Sequence, residues 1–200
     1  MMELSFLATL AIFAATMTGT PGPNNMMLTA SGANFGYRRT VPHLVGITLG
    51  VASLIAVVAG GLGVVFEMFP WVQQVMKLVA SAYLLLLSWR IANAGAPNQA
   101  DLSDRRPMTL LEGAAFQYVN PKAWAMAVSA VGTFTLAGGD YWWSAMVIVL
   151  IFMAVGFPLT SLWAGFGVWV GKVLPTERSW IVFNRVMGLL TASCLFFIWA

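Results

Sequence analysis

An all-α membrane protein, with six transmembrane helices as two inverted three-helix repeats and Pro-broken first and fourth helices, is expected on three grounds. Only 8% of the 200 residues are charged and 60% are apolar, with a mean hydropathy of +0.82. Soluble proteins carry roughly 25% charged residues, so this chain cannot cover a water-facing surface. Apolar runs of about 20 residues, enough to cross a hydrocarbon core of about 30 Å as helix, recur between polar or helix-breaking punctuation. Two of the runs are interrupted by Pro beside Asn at corresponding places in the two halves.

The first run covers residues 4–20, meets Pro21-Gly22-Pro23-Asn24-Asn25 and resumes over 26–33. The second covers 41–66, the third 71–91, the fourth 110–136, the fifth 142–170 and the sixth 180–200. Residues 93–108 form the one long polar connection, too short to fold alone. One domain over 1–200 is expected, with repeat one at about 1–92, a cytoplasmic loop at about 93–109 and repeat two at about 110–200. Met1-Met2-Glu3 lacks a basic n-region, so the first run is expected to stay in the mature chain.

Orientation follows from the distribution of Lys and Arg, because short cytoplasmic loops retain positive charge. Arg38 and Arg39 follow span one, Arg90, Arg105 and Arg106 follow span three, and Lys172 and Arg178 follow span five. The opposite set, around Glu3, Glu67 and Asp140, holds acids and no basic residue, which places both termini outside. Lys77 sits about two turns into span three, where its stem can snorkel. Trp71, Trp89, Trp142, Trp143, Trp180 and Trp199 fall near span ends, as in an interfacial aromatic belt.

The interruptions carry the chemistry. Proline lacks an N–H and clashes with the carbonyl four residues back, so the helix around it exposes backbone acceptors. In hydrocarbon those groups must be met by protein or by a water-filled cavity. Pro21-Gly22-Pro23 should unwind the first span, leaving Asn24 and Asn25 to cap a second half-helix whose N-terminus is electropositive. That end suits a carboxylate, while freed carbonyls suit an ammonium, so the expected ligand is a small zwitterion such as an amino acid. Asn120, Pro121 and Lys122 interrupt the fourth span in the same way. Lys122 falls about 12 residues into that span, where a lysine costs roughly 2.5–3.5 kcal/mol on insertion scales and should face protein, water or substrate. The bland alternatives are a kink or an extramembrane loop at 21–25 and snorkelling of Lys122.

His43 and Glu112 are the candidate proton carriers. A simple interfacial hydrogen bond and helix-end solvation are their respective alternatives. Pro158 reads as a tolerated kink, and the twelve methionines and the glycine clusters read as packing features. Cys194, the sole cysteine, excludes an internal disulfide or CxxC pair, and no metal site, cofactor motif or nucleotide loop is present. Nothing in the sequence points to nucleic acid. The bilayer is the expected environment, and the glycine-rich faces are compatible with a homo-oligomer.

Met17-Thr18-Gly19-Thr20-Pro21-Gly22-Pro23-Asn24, followed by Gly36-Tyr37-Arg38-Arg39 and Gly46-Ile47-Thr48-Leu49-Gly50, resembles the lysine exporter and homoserine/threonine efflux (LysE/RhtB) family. Ala82-Tyr83-Leu84-Leu85-Leu86-Leu87-Ser88-Trp89-Arg90 and Phe116-Gln117-Tyr118-Val119-Asn120-Pro121-Lys122-Ala123 are similar to its third- and fourth-span motifs. The resemblance covers essentially the whole chain. It implies a bacterial inner-membrane secondary transporter that exports amino acids or close derivatives, with Pro21, Gly22, Pro23, Asn24, Asn120, Pro121 and Lys122 at the matching positions. The doubled Asn24-Asn25 is similar to the branch that exports cysteine and O-acetylserine. Proton exchange is the coupling the family implies, although Glu67, Glu112 and Asp140 all fall near span ends. Efflux by alternating access is the expected function. The rivals are a non-transporting membrane assembly or anchoring subunit, and an intramembrane redox or hydrolytic enzyme using Cys194 or His43.

Overall fold

The computed structural model describes residues 3–62, 68–95 and 106–199, and among them helix is the one regular element. Helices α1 (Leu4–Gly19) and α2 (Pro23–Phe35) meet at a 60° bend. α3 (Tyr37–Val57) follows and runs into a π-helical turn, Val58–Leu62. Then come α4 (Pro70–Ala92), α5 (Leu110–Gln117), α6 (Pro121–Phe134), α7 (Tyr141–Val173), α8 (Glu177–Ser193) and the short α9 (Phe196–Trp199). Glu67 and Arg105, which bear on the predicted coupling and orientation, lie outside the described residues.

Three helices are long and apolar enough to cross a membrane, at Tyr37–Gly61, Gln74–Ala92 and Gly138–Val173, and the bent α1–α2 pair makes a fourth candidate. These correspond to predicted spans two, three, five and one. The fourth and sixth predicted spans are each divided. Residues 118–120 separate α5 from α6, as the Asn120-Pro121 pair foretold. The division between α8 and α9 was not foreseen, since no Pro or Gly marks it. There the N–H groups of Cys194 and Leu195 tighten onto the carbonyls of Thr191 and Ala192 at 3.2 and 2.9 Å, closing α8 with two three-residue turns. Pro158 does not end α7, whose 33 residues, about 50 Å of helix, run on either side of it.

The helices of the two sequence halves are interleaved. α1 and α2 both lie on α7, α3 lies on α5, α6 and α7, and α4 pairs with α8. Helices that share no strong apolar contrast with lipid associate through close backbone approach, which small residues permit. Gly46 lies so close to the Leu110 carbonyl that a methyl group has no room, and Gly50 approaches Ala114 in the next turn. From the facing helix, Gly113 abuts His43. Gly32 against the Ala164 carbonyl and Gly167 against the Thr29 carbonyl do the same for α2 and α7. Gly36, at φ 78°, supplies the left-handed residue that turns α2 into α3 without a loop.

A core of Leu10, Ala14, Leu28, Leu44, Leu54 and Ile148 is fully buried at the junction of α1, α2, α3 and α7. Outside it, Trp71, Trp89, Trp142, Trp143 and Trp199 are exposed and Trp180 is half-buried. The Lys77 ammonium sits over the Trp199 ring, 5.7 Å from its centroid, so its stem ends on an aromatic face.

Gly46→Ala should therefore weaken the α3–α5 contact by about 1–3 kcal/mol through overpacking. Gly165→Ala, whose added methyl meets no neighbour, should leave stability unchanged or raise it slightly. Thermal unfolding of both variants in detergent, beside the parent protein, measures the contrast.

Candidate functional site

A helix that stops inside a protein leaves its last four carbonyls without intrahelical partners. At the end of α1 each of the relevant oxygens is met by a named donor. Thr16 accepts the Thr20 N–H at 3.2 Å. The Asn25 side-chain amide donates to Thr18 and Thr20 carbonyls at 2.9 and 2.8 Å, and the Trp163 indole N–H reaches the Gly19 carbonyl at 3.1 Å. The remaining acceptors are taken by a charge. Nζ of Lys122 donates to the Thr20 carbonyl at 2.9 Å, the Thr20 hydroxyl at 2.8 Å and the Pro21 carbonyl at 3.2 Å. An ammonium has three N–H donors, and all three are used.

The two interruptions thus meet, although 102 residues separate Thr20 from Lys122. Gly22 is the residue over which the lysine stem lies: a Cβ there would stand 2.9 Å from Cδ of Lys122. A side chain at this position would push the amine out of its seat.

The asparagines have different tasks from those expected. Pro23 occupies the first helical position of α2 with its φ already suited to helix, so Gly22, not Asn24 or Asn25, is the N-cap. Both asparagines are already inside the first turn. Asn25, 2% exposed, therefore turns back to close α1. Asn24 instead pairs across the break with Gln117, donating at 2.8 Å and accepting at 3.1 Å in a closed two-bond amide pair. Asn120 does cap: its Oδ1 accepts the Lys122 backbone N–H at 3.2 Å, and its Nδ2 reaches Gln117 at 3.3 Å. Pro21, Gly22, Pro23, Asn24, Asn25, Asn120, Pro121 and Lys122 are accordingly gathered in one place.

Three contributors lie outside the predicted site residues. Gln117 is fully buried and links both breaks, Thr20 gives two oxygens to the lysine, and Trp163 closes α1 from α7. Gln117 had a visible signal, a long amide in an uncharged apolar run three residues before Asn120. Trp163 had none, because its partner is 144 residues away.

His43 and Glu112 lie elsewhere, on a cavity of about 600 Å³ framed by α2, α3, α4 and α5. His43 is 1% exposed, and neither ring nitrogen has a hydrogen-bond partner among the described residues. Glu112 closes a capping box with Thr109 and takes both terminal N–H groups of Arg106 at 2.6 and 2.7 Å. This bidentate pairing holds the Arg106 guanidinium still further above its ordinary value. No group of three or more His, Cys, Asp or Glu side chains is placed to hold a metal among the described residues.

A family profile described as LysE type translocator matches residues 15–197. Cysteine/O-acetylserine efflux proteins of Escherichia coli (strain K12), Shigella flexneri serotype 5b (strain 8401) and Shigella sonnei (strain Ss046) are each 30% identical over 117 residues. Each match covers 58% of this chain and 59% of the relative, so the aligned region spans somewhat over half the length of these curated relatives. No solved structure matches the chain.

Gln117→Ala should strand the half-buried Asn24 amide and the buried Asn120 amide, costing about 1–3 kcal/mol of stability. In a double-mutant cycle with Asn24→Ala, the second substitution should then cost markedly less than it does alone. Thermal unfolding of the four proteins in detergent reads the coupling, and additive losses would show that the pair contributes nothing of its own.

Proposed function

The chain belongs to the LysE type translocator family, and on that premise we propose that it exports small zwitterionic amino acids or their derivatives from the bacterial cytoplasm by alternating access. As a member of a translocator family it is a transporter and not an enzyme. The names of its relatives motivate cysteine and O-acetylserine as the first substrates to test.

The observation that carries the reading is the seat of Lys122. The acceptors an incoming ammonium would use, the Thr20 and Pro21 carbonyls, are occupied by an ammonium the protein carries on its other half. A zwitterion complements both sides of that contact at once. Its amino group takes the carbonyls that Lys122 vacates, while its carboxylate receives the released lysine. Protein interactions broken on substrate arrival are thereby replaced in kind. Fixed bare carbonyls would instead need water in an apolar surround.

The inverted repeat is supported by the pairing pattern: the first broken span of each half lies on the second span of the other, α1 and α2 on α7, α5 and α6 on α3. The remaining pair, α4 and α8, contact each other as third spans related by the same two-fold relation would. In this arrangement the two halves rock about the lysine contact. Orientation rests on the basic residues: Arg38 and Arg39 in the first turn of α3, Arg90 and Arg106 flanking the loop after α4, and Lys172 and Arg178 around the α7–α8 corner face the cytoplasm, and both termini lie outside. Proton exchange is the proposed coupling. Glu112 is committed to Arg106 and Thr109, so His43, with neither nitrogen paired among the described residues, is the stronger of the two carriers.

In inside-loaded vesicles with normal protein insertion, Lys122→Ala and Asn24→Ala should each reduce efflux of labelled cysteine or O-acetylserine by about tenfold or more, the scale of roughly 1.4 kcal/mol of lost interaction. Lys122→Arg should recover only part, because a planar guanidinium does not fit a three-oxygen seat made for an ammonium. Unchanged export by both alanine variants would remove the site. A rate indifferent to an imposed pH gradient would remove the proton.

A further inference from the structure

The cavity beside the break has polar equipment that the contacts around Lys122 do not use. Its wall includes Ser31 and Asn34 of α2, His43 of α3, Tyr83 and Arg90 of α4, and the Arg106–Glu112 pair at its edge. Most of these groups are already satisfied. Ser31 is hydrogen-bonded to Thr40 at 2.9 Å, and Asn34 to the Ala30 carbonyl and to Asn184 at 2.8 and 2.9 Å. His43 is the exception: it is 1% exposed, and its Nδ1 and Nε2 are the buried side-chain polar atoms left without a partner among the described residues. A neutral imidazole offers one donor and one acceptor, and burying both unmet is costly unless something else supplies the complement.

We propose that this cavity is a second amino-acid site, reached from the cytoplasm before the break, in which His43 hydrogen-bonds the ligand and Arg90 supplies the charge for its carboxylate. Three observations place it on the transport route. The exposed Trp89, Arg90 and Asn93 stand at its outer edge, on the face assigned to the cytoplasm. Met27, in its wall, is three residues along α2 from Asn24, so one helical turn separates cavity from break. Its volume of about 600 Å³ lies within the range of small-molecule pockets and leaves room for an amino acid with its first waters. The ion pair of Arg106 with Glu112 leaves Arg90 as the cation on this wall without a salt bridge among the described residues.

The ligand class rests on the transport reading above, but occupancy of the cavity is measured separately from export. The protein is prepared with Met108→Cys, a position in the cavity wall, in a Cys194→Ser background, and alkylation by N-ethylmaleimide is timed with and without saturating O-acetyl-L-serine or L-serine. Roughly tenfold protection is expected at about nine-tenths occupancy. Adding Lys122→Ala should reduce export about tenfold or more yet preserve the protection, whereas adding His43→Leu should shift half-protection to at least tenfold higher ligand. If His43→Leu fails to fold, Arg90→Gln, at the exposed edge, should give the same shift. Absence of protection in the parent, protection that disappears with Lys122→Ala, or protection undiminished by the His43 and Arg90 variants would each overturn the site. Protection retained in Lys122→Ala together with unchanged export would support the cavity and refute the break as the transport site.

Discussion

Backbone carbonyls that cannot reach water must find donors inside the protein, and that requirement organises the centre of this molecule. Pro21 and Pro23 stop α1 and restart the chain at a 60° bend, which strips the end of α1 of its helical partners. The donors come from three other segments: Asn25 from α2, Trp163 from α7 and Lys122 from α6. Satisfying one broken helix thereby fixes the relative positions of four. The lysine is itself expensive to bury in apolar surroundings, and the exposed carbonyls are expensive to leave bare. Each supplies the other's hydrogen-bond partner.

The close helix contacts serve the same end. Donors reach a carbonyl oxygen within about 3 Å, so the breaks meet only if the helices carrying them approach nearly backbone to backbone. Gly32 and Gly167 allow that between α2 and α7, and Gly46, Gly50 and Gly113 between α3 and α5. The glycines therefore belong to the geometry of the site, and Gly50 and Gly113 also touch Gln117 itself, the Gly113 carbonyl accepting its amide N–H at 2.9 Å. They also account for the interleaving of the two halves, since the contacts run between halves more than within them.

Composition alone was enough to identify helices made for a membrane, because charge scarcity and apolar run length are properties of the chain and not of its packing. The breaks at 21–25 and 120–122 were equally legible, since proline writes its backbone constraint into the sequence. Which asparagine did what was not. Caps are set by where the helix starts, and Pro23 at the first position moved that start one residue ahead of the asparagines. The Asn24–Gln117 pair, the Trp163 contact and the burial of His43 were out of reach for a further reason: each depends on which residues far along the chain arrive opposite. The turn at Cys194 and Leu195, which divides the last run, carries no residue whose chemistry demands it. The bidentate hold of Arg106 on Glu112 was likewise out of reach, since it depends on how the chain turns between them.

The separation of 102 residues between Thr20 and Lys122 also bears on biogenesis. During synthesis the bend at Pro21 leaves the ribosome long before the lysine that neutralises it exists, so the first hairpin has no complete resting state of its own. It must wait with water or the insertion machinery standing in for the missing amine, and it settles only when the later half docks. The polypeptide is made in order, but this contact closes only once both of its halves are present.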